Sequence, residues 1–247
     1  MAMVNLDRTL LSTSLRTMQQ AKGVAGLRRA LDAIRDRYGL SHLVFLITRL
    51  GDRSDPFPFF VTTYPEDWTR TYVDRNFFEV DPVIKLAHSA LLPVDWSSFD
   101  RTSPRSAAFF SEADSFKVGR HGLTSVVRGP RGERSLFSVT SDLPDTRWSK
   151  LRASYGYDFQ VMSHYFHDRT LLLSGLRISP PQKPLSPREA QCLQHLASGF
   201  IPKQIAPQLG ISEAAVRLYL RSARRKLGAT TLGQAVARAS YQERIFF

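Results

Sequence analysis

Three prolines within seven residues, in Ile178-Ser179-Pro180-Pro181-Gln182-Lys183-Pro184, constrain what this chain can fold into more than any other feature. Proline fixes φ and has no amide hydrogen, so the stretch sustains neither a helix nor a central strand and acts as a stiff spacer. A chain of 247 residues can hold one large domain or two unequal ones. The seam selects two: residues 1–176, a linker at 177–184, and residues 185–247. No internal repeat or low-complexity tract suggests a further division.

Charge follows the same division. The formal net charge is +12. Residues 1–176 hold 23 basic against 19 acidic side chains, whereas residues 185–247 hold 9 against 3. So concentrated a surplus suits a polyanionic partner, because neutralising phosphates releases counterions; a solvated basic face is the alternative. Cys192 is the single cysteine, which excludes a disulfide framework or a thiolate metal cluster and reads as a small core residue. No apolar run approaches the roughly 18–20 residues that span a bilayer. The first residues lack the charged-then-apolar layout of a signal peptide, so a cytoplasmic location without membrane contact is expected.

The segment after the linker reads as four short helices. Ser186-Pro187-Arg188-Glu189 combines an N-cap, a first-position proline and a capping-box glutamate. Cys192, Leu193, Leu196 and Ala197 give that helix its apolar stripe, and Gly199 ends it. A second helix starts at Pro202 and carries Ile205, Ala206 and Leu209. Gly210-Ile211 turns the chain, and Ser212-Glu213 caps a third helix. Val216, Leu220, Ala223 and Leu227 line its inner face, while Arg217, Arg221, Arg224 and Arg225 fall elsewhere. A fourth helix follows Thr231. Two short helices joined by a glycine turn, the second basic and amphipathic, describe a helix-turn-helix. An ordinary helical domain with a basic surface helix is the competing description.

The residues Leu185-Ser186-Pro187-Arg188-Glu189, Ala197-Ser198-Gly199, Gln204-Ile205-Ala206, Leu209-Gly210-Ile211-Ser212-Glu213, Val216 and Lys226-Leu227-Gly228 resemble the DNA-binding domain of LuxR-type transcription factors. The resemblance implies that the third helix is the recognition helix, with Arg217 and Arg221 on base edges; arginine forks bond guanine O6 and N7 bidentately. Arg224, Arg225 and Lys226 are then expected to meet mainly phosphates. Ile201, Ala215 and Tyr219 depart from the family pattern. Pro207 lies inside the second helix, which is expected to be short or kinked.

Residues 1–176 mix both element types. Val24, Leu27, Leu31, Ile34 and Tyr38 form one helix face that Gly39 terminates. Strands are predicted at 43–48, 57–64, 125–128 and 136–141, with Gly129-Pro130-Arg131-Gly132 turning between the last two. Further helices are predicted at 65–76, 82–90, 104–118 and 145–173. The fold class expected is α+β: an N-terminal α-β-α sandwich with a central antiparallel sheet, linked to a C-terminal all-α four-helix helix-turn-helix domain.

A phosphoacceptor receiver would need an acidic cluster after its first strand and parallel βα units, and neither is present. The ordered series Tyr64-Pro65, Trp68, Tyr72, Asp81-Pro82-Val83, Trp96, Gly122, Gly132-Glu133 and Ser138 instead resembles the acyl-homoserine-lactone-binding domain, over roughly residues 20–170. An acylated lactone presents a ring carbonyl, an amide N–H, an amide carbonyl and an apolar tail, and each polar atom needs a partner once buried. The resemblance implies that Trp68, a pure donor, meets the lactone carbonyl, and that Asp81, an acceptor, meets the amide N–H. Tyr64 and Ser138 would serve the amide carbonyl or a chain substituent. Trp96 would be an aromatic wall, and Val61, Tyr72, Val83, Leu123 and Val126 the apolar lining. Val118 and Val126 depart from the family pattern at the acyl-chain end.

Each residue also has a plainer reading. Asp81 before Pro82 is a helix N-cap, Trp68 and Tyr72 lie four apart as core residues often do, and Gly122 permits close packing. His164 and His167 read as surface or dimer-face residues, since no third metal ligand is evident. No phosphate loop or nucleophile elbow suggests an enzyme. The expected partners are double-stranded DNA, an N-acyl-homoserine lactone as regulatory ligand, a second copy of the chain, and RNA polymerase. The alternative is a ligand-independent DNA-binding regulator whose first domain only dimerises, and a lactone hydrolase acting as sensor is a third reading.

Overall fold

The structure, a computed structural model, describes residues 8–50, 59–130, 132–177 and 184–246. Residues 178–183 of the linker expected at 177–184, and Arg131 of the expected turn, lie outside the described residues. The chain forms two compact units, the first drawn from residues up to Arg177 and the second mainly from those after it.

The first unit opens with α1 (Arg8–Gln20) and α2 (Gly23–Tyr38), followed by β1 (His42–Arg49) and β2 (Phe59–Thr62). Then come α3 (Glu66–Asp74), α4 (Pro82–Ser89), the two-residue β3 (Val94–Asp95) and α5 (Pro104–Ser115). The hairpin β4 (His121–Arg128) and β5 (Arg134–Ser141) leads into the long α6 (Asp145–Leu173), whose bounds are those expected. The five strands form one antiparallel sheet in the order β2-β1-β5-β4-β3.

Strand pleating divides the side chains between two cores. Leu43, Phe45, Ile47, Phe137 and Val139 face the layer of α1, α2 and α6, where Leu27, Leu31, Ile34, Phe159, Met162 and Phe166 are buried. Each such fully buried side chain stabilises the fold by about 1.5–3 kcal/mol. Leu46 and Leu136, with partly buried Val44, point to the opposite face, toward Val83, Ala87 and Trp96. The expected α-β-α sandwich is therefore present, and its second layer surrounds the candidate site.

Several elements differ from expectation. α1 was not anticipated because Ser12, Thr13, Ser14 and Thr17 dilute its apolar pattern. Ser14 and Thr17 donate their hydroxyls to carbonyls one turn back, and Leu10, Leu11, Leu15 and Met18 pack on the core. β4 begins four residues earlier than expected, since Gly122 and Thr124 weaken the strand signal. His164 is exposed, but His167 is buried with Nδ1 in a 2.8 Å hydrogen bond with Ser135 Oγ, so the surface reading fails for His167. Three residues apart, the two rings stand about 60° apart around α6, and the edge of its buried face falls between them.

The second unit contains α7 (Pro187–Ala197), α8 (Pro202–Leu209), α9 (Glu213–Lys226) and α10 (Leu232–Tyr241). The capping box is formed: Glu189 N–H donates to Ser186 Oγ (3.3 Å), and Ser186 N–H donates to Glu189 Oε2 (2.6 Å). Cys192, Leu193, Ile205, Val216, Leu220, Ala223, Ala235 and Ala239 are fully or almost fully buried and make the core. With Ile201 in the cap position, Gln204 Oε1 accepts the Ile201 N–H instead. α8 is short, eight residues with Pro207 inside. No helix among the described residues is long and apolar enough to cross a membrane.

Candidate ligand cavity and DNA-recognition helix

In the first unit, Trp68 and Tyr72 stand one turn apart on α3, Asp81 caps α4, Trp96 follows β3, and Ser138 lies on β5. Together with Tyr64 and Val83 they line one cavity, whose remaining walls include Val44, Leu46, Phe60, Val73, Phe78, Ile84 and Leu136. Tyr64, Trp68, Tyr72, Asp81, Val83 and Trp96 also line a second, adjoining lobe, completed by Arg101, Phe109, Phe110, Ala113, Asp114, Val118 and Gly119. These six residues thus stand between two lobes. Phe109 and Phe110 extend an aromatic cluster around Trp68, with Phe77 at 5.7 Å and Phe116 at 5.4 Å from its ring centre.

Asp81 has two functions at once. Its Oδ1 accepts the Val83 N–H at 2.8 Å, capping α4, and its Oδ2 accepts the Tyr72 hydroxyl at 2.7 Å. Burial pushes its pKa up to about 6, and the bonds from Tyr72 and Val83 only partly counter this. Burial also raises Tyr72 and Tyr64, with the Asp81 charge adding to both, so the phenols remain protonated donors.

Trp96 is more than a wall. Its indole N–H donates to Thr124 Oγ1 at 2.8 Å, and Thr124 Oγ1 lies 2.8 Å from Ser138 Oγ. Either hydroxyl can donate in the second of these bonds, since the Thr124 oxygen has two lone pairs and can accept from Trp96 and Ser138 together. With Thr124 as donor, the Ser138 hydrogen is left for the cavity, which Ser138 lines. A Cβ added at Gly122 would lie 2.1 Å from Trp96 Cδ2, so only glycine lets the indole cross β4 here.

Part of the expected lining is misplaced. Val61 and Leu123 belong to the core on the opposite face of the sheet. Val126 is on the cavity side but packs in the cluster with Leu136 and is not part of either wall. Within β5, alternation was the available signal for Leu136, which shares the parity of Ser138, whereas Val44 and Leu46 follow only from the register that pairs Val44 with Ser138. Thr124, Phe109 and Phe110 carried no comparable pattern.

In the second unit, Gly210 (φ 64°) makes the turn between α8 and α9. Val216, Leu220 and Ala223 bury one face of α9, leaving Arg217, Arg221 and Arg225 exposed. Arg217 donates through Nε (2.9 Å) and Nη2 (2.6 Å) to Glu213 Oε1, which holds its guanidinium at the N-terminal end of the helix. Arg224 is half-buried beside the Thr230 carbonyl.

Lys226 departs from its expected role. Its Nζ donates to Glu189 Oε2 (2.7 Å) and to the Pro184 carbonyl (3.0 Å), joining the end of α9 to the start of α7. Burial would raise the Glu189 pKa, but hydrogen bonds from Lys226, Ser222 and Ser186 outweigh it and bring the pKa down to about 2. The ammonium is committed within the fold. Replacing Arg225 with Met should therefore lower the slope of log affinity against log salt by about one, whereas Lys226→Met should leave that slope unchanged and lower thermal stability. Filter binding at graded salt checks both.

A cavity lined by matched polar groups in one unit and a helix-turn-helix with exposed arginines in the other define a regulator class: an input domain joined to a DNA-binding module. Residues 23–170 match the autoinducer binding domain family, and residues 183–239 match the bacterial regulatory proteins of the luxR family. The chain belongs to the LuxR family of quorum-sensing transcriptional regulators, with an autoinducer-binding domain. It is 46% identical over 185 residues to the transcriptional activator RaiR of Rhizobium etli, covering 75% of this chain and 76% of that one. It is 30% identical over 224 residues to BjaR1 of Bradyrhizobium diazoefficiens, covering 85% of each. Among solved structures, Escherichia coli SdiA has the same fold, with TM-score 0.70 at 19% identity over 97% of this chain and 99% of that one. CepR2 of Burkholderia cenocepacia superposes with TM-score 0.55 at 24% identity, covering 68% and 98%. RaiR and BjaR1 are named transcriptional activators, and CepR2 a LuxR-family transcription factor.

Proposed function

We propose that this chain is a homodimeric regulator that binds an N-acyl-homoserine lactone in the two-lobed cavity and a near-palindromic promoter site through α9. The observation that carries the reading is the convergence of Tyr64, Trp68, Asp81, Trp96 and Ser138, from separate elements, on one cavity whose donors and acceptors match the ligand's polar atoms. Residues 1–176 would be the sensor and dimerisation domain, 177–184 the linker and 185–247 the DNA-binding domain.

In this reading Asp81 accepts the amide N–H, Trp68 donates to the ring carbonyl, and Ser138 and Tyr64 donate to the amide carbonyl. The lactone ring occupies the lobe of Phe109, Phe110 and Ala113. The acyl tail lies along Val44, Leu46, Phe60, Val73 and Ile84, a surface without charge. Ligand completes this core and stabilises the folded form by mass action. On α6, the exposed Tyr157, Val161, Tyr165 and Leu172 recur at three- and four-residue multiples and suit a second copy of the chain. The protein would act in the cytoplasm, where DNA and RNA polymerase are available.

Arg217 and Arg221 read bases, while Arg225 and the half-buried Arg224 meet phosphates. Arg217→Ala should cost about 1–3 kcal/mol of DNA binding and relax specificity at one position of each half-site. Competition binding against a panel of single-base variants checks this; an equal loss on every sequence would reduce Arg217 to a phosphate contact.

A further inference from the structure

Leu218 stands out on α9. Val216 and Leu220 beside it are buried, yet Leu218 is 63% exposed. At 100° per residue it lies one turn after the exposed Ala214 and one turn before Arg221, with the exposed Arg217 adjacent and Arg225 two turns on. The result is a small apolar spot framed by three guanidinium groups, on the face turned away from the domain core. A second copy of this chain is a poor occupant, because it would bring arginines against arginines. Duplex DNA suits the frame, since its phosphates and guanine edges take the arginines. Inside the major groove the bases present one apolar group, the C5-methyl of thymine.

We propose that Leu218 is a specificity-determining residue that packs against a thymine methyl in each half-site, between the bases met by Arg217 and Arg221. The inference rests on α9 being the recognition helix, and its test separates the two. The full-length chain, with a lactone added if one stabilises it, selects its preferred duplex from a random-sequence pool. Each thymine of that duplex is then replaced by uracil, which removes only the methyl. At one thymine per half-site, wild-type affinity should fall about fourfold, the worth of one buried methyl. Leu218→Ala, which loses the contact in both half-sites, should bind the thymine duplex about as weakly as wild type binds a duplex with both thymines replaced, a loss of about 16-fold, and should not distinguish thymine from uracil there. As an exposed helical position changed to alanine, this variant is expected to keep its fold, which circular dichroism verifies.

If no uracil replacement matters while Arg217→Ala still weakens binding, the Leu218 proposal is overturned and the recognition helix stands. It is equally overturned if Leu218→Ala remains sensitive to the same methyl. Should no duplex be enriched, or Arg217→Ala and Arg221→Ala bind as wild type does, the recognition-helix reading itself fails and Leu218 with it.

Discussion

Asp81→Asn is expected to leave the sensor domain folded and to lower lactone affinity about 10- to 150-fold, the range for one hydrogen bond to a charged group. Asparagine caps helices as well as aspartate does, so its Oδ1 can still accept the Val83 N–H that opens α4. The second oxygen, which now accepts from Tyr72, becomes an amide donor and has nothing to offer the ligand's amide N–H. The pH dependence supplies an independent sign. Burial raises the Asp81 pKa from the usual carboxylate range to about 6, so between about pH 4 and 6 the folded protein holds a proton that the unfolded chain has lost. Without ligand, this group therefore makes the fold less stable as pH rises through that window. A ligand N–H favours the carboxylate, so wild-type affinity should rise up to about pH 6 and then level off, whereas Asp81→Asn should show no such rise. Calorimetric titration of the two proteins across this range checks both statements. Wild-type affinity in Asp81→Asn would leave Asp81 a helix cap alone.

Gly122→Ala is expected to remove the ligand response altogether. Its Cβ would sit 2.1 Å from the Trp96 indole, against a rigid ring on one side and the paired backbone of β4 on the other. Overpacking of this kind costs about 1–3 kcal/mol. Relief comes by turning Trp96 out of place, which breaks its bond to Thr124 and with it the orientation of Ser138. Because Trp96 lines both lobes, neither keeps its shape. A lowered Tm, a changed near-ultraviolet tryptophan spectrum and no ligand-induced stabilisation are the expected readouts. A lactone-induced shift equal to that of wild type would show that the site does not depend on the indole's placement.

The DNA-binding unit was legible because its signals are local: Ser186, Glu189, Ser212 and Gly210 mark helix ends within a few residues of one another. The long α6 could be bounded for the same reason, by Pro144 at its start and Gly175 beyond its end. What could not be read depends on partners distant in sequence. Val61 and Leu123 look as suitable for a cavity wall as Val44 and Leu46, and only strand register assigns them to opposite faces. Lys226 looks like one more cation in an arginine run until Glu189, 37 residues earlier, is placed beside it. Tyr64, Trp68, Asp81 and Ser138 do line one cavity, but Thr124, which bonds Ser138 and holds Trp96, has no mark in the sequence beyond being a hydroxyl in a strand.

We propose that the input domain of this LuxR-family chain holds an acylated lactone. The most direct test of this claim is thermal unfolding of the purified full-length protein against N-acyl-homoserine lactones from short to long acyl chain, with the Asp81→Asn variant in parallel. At least one chain length should raise the wild-type Tm in proportion to the logarithm of ligand concentration once the site is saturated, and the variant should shift much less. No shift with any chain length, together with DNA binding that ignores all of them, would contradict the claim and leave a ligand-independent regulator whose first domain serves only to dimerise.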